Sequence, residues 1–326
     1  MNLRKATARL LYGPTGIAGR HRPFYFLNLR DRRRGPRNLE QAVKDKVVLI
    51  TGASSGIGRA TALRVAGAGA TVLLISRREQ ELEKLRAEIA AAGGLAEVHT
   101  CDLSDIDAIE RMAAVVLERH DHVDVLVNNA GRSIRRSVVE SLDRFHDYER
   151  LMQLNYFGAL RLTLALLPTM RERGFGHVIN VSTTGVEAKP PRFSAYLASK
   201  AALDMFADVA AAELGHEGIR FTTVQMGLVR TPMIEPTEAF RGMPSLSAEQ
   251  AADWICEAIV HRPRRVGTPV SDVAGVLDSL SPATTATLRS LGYRLSPDNE
   301  PQPLPAEPPA PDDFKTTKKK DKKGNP

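Results

Sequence analysis

Between residues 41 and 295, short apolar runs alternate with helix-length amphipathic segments, and this alternation narrows the choice of fold more than any other feature. The runs are KVVLIT (46–51), TVLLIS (71–76), AEVHTC (96–101), VDVLVN (123–128), HVINVS (177–182) and RFTTVQ (220–225). Between them apolar residues recur at spacings of three and four, as in Glu79–Ala92 and Ile106–His120, the period of a helix with one buried face. Strands apolar on both faces and joined by helices need a parallel sheet covered on both sides. The expectation is an α/β fold, a doubly wound parallel sheet in a single domain. Such sheets bind ligands beyond the carboxyl ends of their strands, and the motifs of this chain fall there.

The first run leads straight into TGASSGIG (51–58). Gly52, Gly56 and Gly58, with Ser54, Ser55 and Ile57 between them, separate a strand from a helix. Glycines there let the backbone turn sharply and approach a pyrophosphate at a helix N-terminus, where free N–H groups favour anions. Glycines also mark plain turns, but the strand–turn–helix setting is that of a Rossmann-like dinucleotide site. The second run ends in Ser76-Arg77-Arg78, without the carboxylate that an NAD ribose usually meets. A guanidinium pairs well with a 2′-phosphate, so NADPH is the expected cofactor. The plainer reading of both arginines is a solvated helix start, although cations there oppose the helix dipole. Asp102 and Asn128-Asn129-Ala130-Gly131 also stand at carboxyl ends. Taken alone, the first reads equally as a helix N-cap and the second as a turn.

Tyr196 and Lys200 lie four apart in SAYLASKAALDMF, which puts both side chains on one helix face. A nearby ammonium would lower the pKa of the phenol and make it an acid–base catalyst. The same spacing also produces surface pairs, so the position after the fifth strand decides for catalysis. TGASSGIG, NNAG, Asn155 in LNYFG, NVST (180–183) and YLASK together resemble the short-chain dehydrogenase/reductase family in order and spacing, over about residues 45 to 235. The resemblance implies that Tyr196 moves the proton while Lys200 tunes it and holds the nicotinamide ribose. It gives Asn155 a proton-relay water and places Asn129, Ala130, Gly131 and Val229 against the cofactor. It also asks for a hydroxyl 13 positions before the tyrosine. That position is Thr183, with Ser182 beside it, and both stay open.

The stretches 128–159, 191–204, 228–237 and 248–266 are similar to bacterial long-chain fatty acyl-CoA reductases and their relatives acting on long 3-oxoacyl chains. The resemblance implies NADPH-dependent reduction of a long-chain acyl-CoA thioester to the fatty aldehyde. The first alternative is reduction of a 3-oxo group on a long acyl chain. A non-catalytic NADPH-binding scaffold is the alternative of another class, encouraged only by the threonine at 183. Gly227 replaces a proline usual in these relatives and bears on the following loop. Arg132, Arg135 and Arg136 follow NNAG and are expected either to attract the phosphates of CoA or to be solvated loop charges. Cys101 and Cys256 have no neighbouring base in the sequence and read as packing residues.

Much of the net charge of +7 sits at the N-terminus, where Arg4, Lys5, Arg9, Arg20, Arg22, Arg30, Arg32–Arg34 and Arg37 make a basic arm over residues 1–40. No nucleic-acid-binding motif accompanies it, so no nucleic-acid partner is expected. Its patch Phe24-Tyr25-Phe26-Leu27 would rest on an anionic membrane surface or fold back on the domain or a partner. The tail, 296–326, is rich in proline and ends in lysines, a composition that favours disorder. Two cysteines form no disulfide framework, no apolar run reaches signal or membrane-span length, and a cytoplasmic location is expected. The family resemblance implies a homo-oligomer, with the helices flanking Asn155 and Tyr196 as the expected interface.

Overall fold

A computed structural model describes residues 38–235, 240, 243 and 245–294. The basic arm, its Phe24–Leu27 patch and the lysine-ended tail lie outside the described residues. The chain enters through a short helix, α1 (Leu39–Val43), whose Asn38 side chain caps the amide of Gln41 at 2.9 Å. Then follow β1 (Val47–Thr51), α2 (Gly56–Gly67), β2 (Thr71–Ser76), α3 (Glu79–Ala91), β3 (Leu95–Thr100), α4 (Ile106–His120) and β4 (Val125–Asn128). After β4 the chain forms α5 (Phe145–Met152), a π-helical turn over Gln153–Gly158, α6 (Ala159–Glu172), β5 (Gly176–Thr183) and the one-turn α7 (Gly185–Ala188). It closes with α8 (Ser194–Leu214), β6 (Ile219–Met226), α9 (Ala248–His261), β7 (Arg265–Val266), α10 (Pro269–Leu280) and α11 (Pro282–Arg294).

The seven strands form one parallel sheet in the order β3-β2-β1-β4-β5-β6-β7. All six expected runs become strands; β7, two residues long, has no apolar run to announce it. Alternate residues of each strand feed opposite cores, as the period of two requires. Val48, Ile50, Val72, Leu74 and Ile179 pack under α2, α3 and α9, whereas Leu49, Leu73, Ile75, Leu126 and Val178 pack under α4, α6 and α8. Truncating a fully buried leucine such as Leu49 or Leu126 to alanine should cost about 2–5 kcal/mol. The two cores cover both faces of the sheet and leave its carboxyl edge for the loops.

Caps locate the helices more finely than the sequence could. Asp105, not Asp102, caps α4, accepting from the Ala108 amide at 3.0 Å. Asp102 instead closes a tight turn on the Ser104 amide at 2.9 Å, so it cannot serve as the helix cap. Ser247 and Gln250 form a reciprocal capping box at the start of α9. Among the described residues, no helix is long and apolar enough to cross a membrane.

Candidate active site

The turn after β1 needs its glycines. Gly52 and Gly56 adopt φ of +66° and +52°, where side chains are strained. Gly58 has no room for one, since a Cβ would stand 2.4 Å from the Gly52 carbonyl oxygen. The NNAG segment is stitched to this turn through Thr51. Its Oγ1 accepts from the amides of Asn129 at 2.9 Å and Ala130 at 3.0 Å, and donates to the Val127 carbonyl at 3.2 Å. Asn129 Nδ2 returns a bond to the Thr51 carbonyl at 2.9 Å. The result is a narrow backbone-walled cradle opening on the N-terminus of α2, a shape that fits a pyrophosphate. Ser55, Ile57 and Ala130 line it, and Gly58 lies behind.

At the far end of the cradle, Arg78 precedes the first residue of α3 and its side chain folds over the turn. Its Nη2 and Nε donate to Ser54 Oγ at 3.0 and 3.2 Å, and Ser76 Oγ meets the same oxygen at 2.8 Å. Arg77 lies 3.5 Å from Asp102 across the rim. Arg78 is therefore not a freely solvated helix start, whereas the Arg77 side chain stays largely exposed.

The catalytic candidates come from β5, the π-helical turn and α8. Asn155 is fully buried. Its Oδ1 accepts from the Arg132 amide at 2.8 Å, and its Nδ2 donates to the Arg132 carbonyl and to Ser199 Oγ, both at 2.9 Å. The side chain thus bolts the NNAG loop to the helix that carries Tyr196 and Lys200. Lys200 is buried and donates from Nζ to the Val181 carbonyl at 2.8 Å. Burial lowers its pKa to about 8, against the opposing pull of Asp204. A Cβ on Gly131 would stand 3.2 Å from Asn155 Oδ1 and 3.3 Å from that Nζ, a tight fit that would press on both groups.

Ser182 and Thr183 face opposite ways, as neighbours on a strand must. Ser182 Oγ donates inward to Asp204 Oδ2 at 2.9 Å. Thr183 hydrogen-bonds the Tyr196 hydroxyl, and its Oγ1 accepts from the Gly185 amide at 3.1 Å. The expected depression of the phenol does not occur in the chain itself. Burial pushes Tyr196 up to about 12, Asp204 adds to the rise, and the Thr183 bond opposes it. The lysine ammonium is turned toward a backbone carbonyl instead, and the phenol stays protonated, which is the proton-donating form.

Tyr196, Ser182 and Thr183 line one cleft of about 650 Å³ that runs from Arg78 past Tyr196 to an apolar end, while Asn155 and Lys200 are buried behind its wall. Val229 lines it, held by a bridge to Leu246; Gly227 and Leu228 follow β6 directly. Phe193 stacks on Phe240 with ring centroids 6.2 Å apart. Of the three arginines after NNAG, Arg136 is taken by Asp147, which also accepts from Arg150 at 2.7 Å and Arg144 at 3.2 Å. Burial pushes the Asp147 carboxyl up, but these guanidinium groups outweigh it and hold the carboxyl below its ordinary range. Arg135 is half-buried on the same loop, its pKa lowered by burial and by the like charge of Arg192. Cys101 lines the cleft, yet burial raises its thiol to about 11; Cys256 is raised by burial to about 12. Neither is an activated nucleophile. Asp204 and Arg192 escaped the sequence reading. The first repeats the four-residue spacing of Tyr196 and Lys200, a usable signal, whereas nothing in the sequence marks the second.

A glycine cradle, a Tyr–Lys pair on one helix face and a hydroxyl opposite define an oxidoreductase that works with a nicotinamide dinucleotide. The short chain dehydrogenase profile matches residues 46–242, and the chain belongs to that family. An uncharacterised oxidoreductase of Mycobacterium bovis is 54% identical over 285 residues, covering 86% of this chain and 83% of that protein. A fatty acyl-CoA reductase of Acinetobacter baylyi is 52% identical over 255 residues, 78% of this chain and 86% of that protein. Among solved structures, a metagenomic short-chain oxidoreductase in complex with NADP is 33% identical with a TM-score of 0.59, covering 67% of this chain and 92% of that one.

Proposed function

We propose that this enzyme reduces the thioester of a long-chain acyl-CoA to the fatty aldehyde, with NADPH as reductant. The observation that carries this reading is the wall of the cleft beyond Tyr196, built from Phe193, Leu197, Leu228, Met233, Ile234 and Phe240. Such a wall rewards an alkyl chain by about 0.8 kcal/mol per buried CH₂. The activity named for the Acinetobacter relative supports a thioester over a ketone. Arg78, folded over the turn, and Arg77 suit a 2′-phosphate, and a solved relative carries NADP.

The bound dinucleotide supplies the hydride. The hydroxyls of Tyr196 and Thr183 polarise the substrate carbonyl, and Tyr196 gives its proton to the oxygen as the carbon is reduced. Lys200 holds positive charge behind the phenolate so formed, and Asn155 fixes the loop and helix that frame it. The hemithioacetal product then returns its hydroxyl proton to Tyr196 while its C–S bond breaks, and the departing thiolate takes a proton from solvent. One hydride and one proton are consumed; an aldehyde and a free thiol leave.

NADPH oxidation with palmitoyl-CoA, with thiol and aldehyde trapped together, tests the reading. Thiol released in step with NADPH consumed is the expected result. Oxidation without thiol, and only with a 3-oxoacyl substrate, would replace thioester reduction by ketone reduction. Cofactor binding with no turnover, unchanged by Tyr196→Phe, would leave a scaffold. Arg132 and Arg135 are assigned to the phosphates of the carrier. Reversing both charges should raise KM for acyl-CoA about tenfold or more while leaving KM for a free ketone in place, and equal effects on both would refute the assignment.

A further inference from the structure

Tyr196, Lys200 and Asp204 repeat at four-residue spacing along α8 and share one face. Asp204 is 5% exposed, in the floor of the site. Its Oδ2 accepts from Ser182 Oγ at 2.9 Å and, more weakly, from Gln225 Nε2 at 3.3 Å. Its Oδ1 meets no hydrogen-bond donor among the described residues. On its own helix it faces Lys200 and Tyr196. β5 contributes Ser182, β6 contributes Gln225, and the charge of Arg265 reaches it from β7. That guanidinium is committed elsewhere, to Glu187 of α7 at 2.8 Å, and Glu187 in turn accepts from Gln225 at 3.3 Å.

As a structural device this carboxylate is poor. Burying a charge that has two neutral donors and an unfilled oxygen costs folding free energy. Burial accordingly pushes its carboxyl up to about 6, against the bonds from Ser182 and Gln225 and the charge of Lys200. An asparagine would keep a Ser182 bond at a smaller desolvation cost. What asparagine cannot supply is negative charge beneath two groups whose protons matter, one of them an ammonium that burial is driving toward neutrality. Among the described residues, the β4 loop and the π-helical turn bring uncharged groups to this side of Lys200: Gly131 faces its Nζ, with Asn155 beside it.

We propose that Asp204 is a positioning residue: its buried charge keeps Lys200 an ammonium and Tyr196 a neutral phenol, and so sets the upper pH limit of the reaction. Both effects act in one direction, because removing the charge eases the loss of either proton. The proposal rests on Tyr196 and Lys200 as the proton-handling pair and holds for any carbonyl substrate.

The experiment is the pH dependence of kcat for wild type, Asp204→Asn and Asp204→Glu, with NADPH and whichever carbonyl substrate the wild type turns over. Tyr196→Phe runs alongside and must be inactive, since turnover by that variant would remove the catalytic reading itself. The alkaline limb of Asp204→Asn should move down by about 1–3 pH units, whatever the height of its plateau. Asp204→Glu, which keeps the charge, should hold the limb within about half a unit of wild type on the same grounds. A limb that stays put in Asp204→Asn, with or without a uniform fall in kcat, overturns the proposal. If Asp204→Asn does not fold, the glutamate variant decides, and a limb displaced downward despite retained charge counts against the idea.

Discussion

At the scale of single residues, the site divides its labour between hydroxyls that the sequence left equivalent. Thr183→Val should lower kcat about 10²–10³-fold, the cost of one oxyanion donor, while Ser182→Ala should cost less than about tenfold because its hydroxyl points away from Tyr196. Steady-state NADPH oxidation by the two variants checks this. Arg78→Asp should raise KM for NADPH about tenfold or more through loss of a charge-assisted contact, leaving KM for NADH nearly unchanged. Asp204 also enters stability. Its folded value of about 6 lies above the roughly 3.9 of an unfolded aspartate. The native state therefore holds an extra proton between those values, and its contribution is present below about pH 4 and lost as pH rises through about 6. Urea midpoints of wild type minus Asp204→Asn should show that slope. The sequence could name Thr183 and Ser182 but not choose between them, because strand alternation fixes that they diverge without saying which side the helix with Tyr196 occupies. It likewise could not show that Arg136 is taken by Asp147, eleven positions downstream.

Among the elements, the π-helical turn over Gln153–Gly158 illustrates how local irregularity serves a site. It presents Asn155 where one side chain meets both the NNAG loop and Ser199 of α8. Asn155→Ala should leave the Arg132 amide and carbonyl and Ser199 without these partners, lower thermal stability by several degrees and impair turnover; calorimetry beside kinetics would show both. The pair α10–α11 is held differently. Asp278 receives hydrogen bonds from Lys189, Thr285 and Arg289, and these hold its carboxyl well below the ordinary range. A depressed carboxyl stabilises above its unfolded pKa and loses that contribution as pH falls. Amide exchange in α10 and α11 should therefore quicken below about pH 4, and Asp278→Asn should exchange fast at neutral pH as well. Strands and the longer helices were legible because burial on two faces or one leaves a period in the chain. The two-residue β7 and the π-helical turn leave none, since each is imposed by neighbours and not by its own pattern.

For the molecule as a whole, fold and family were readable because six strands and five motifs agree on one carboxyl edge. What stayed hidden lies in charges paired across the fold, such as the polar chain from Asp204 through Gln225 and Glu187 to Arg265. No spacing rule links residues so far apart in sequence. The same separation has a consequence for how the protein is made. Thr51 closes the cofactor turn by accepting from Asn129, 78 positions later in the chain. A ribosome delivers β1 and its glycine turn long before β4 exists to complete them. Throughout the synthesis of β2, β3 and their helices, the nascent chain carries an open cradle with no floor. Cofactor in the surrounding fluid can therefore steady this protein only after Asn129 has cleared the exit tunnel and found its place beside β1.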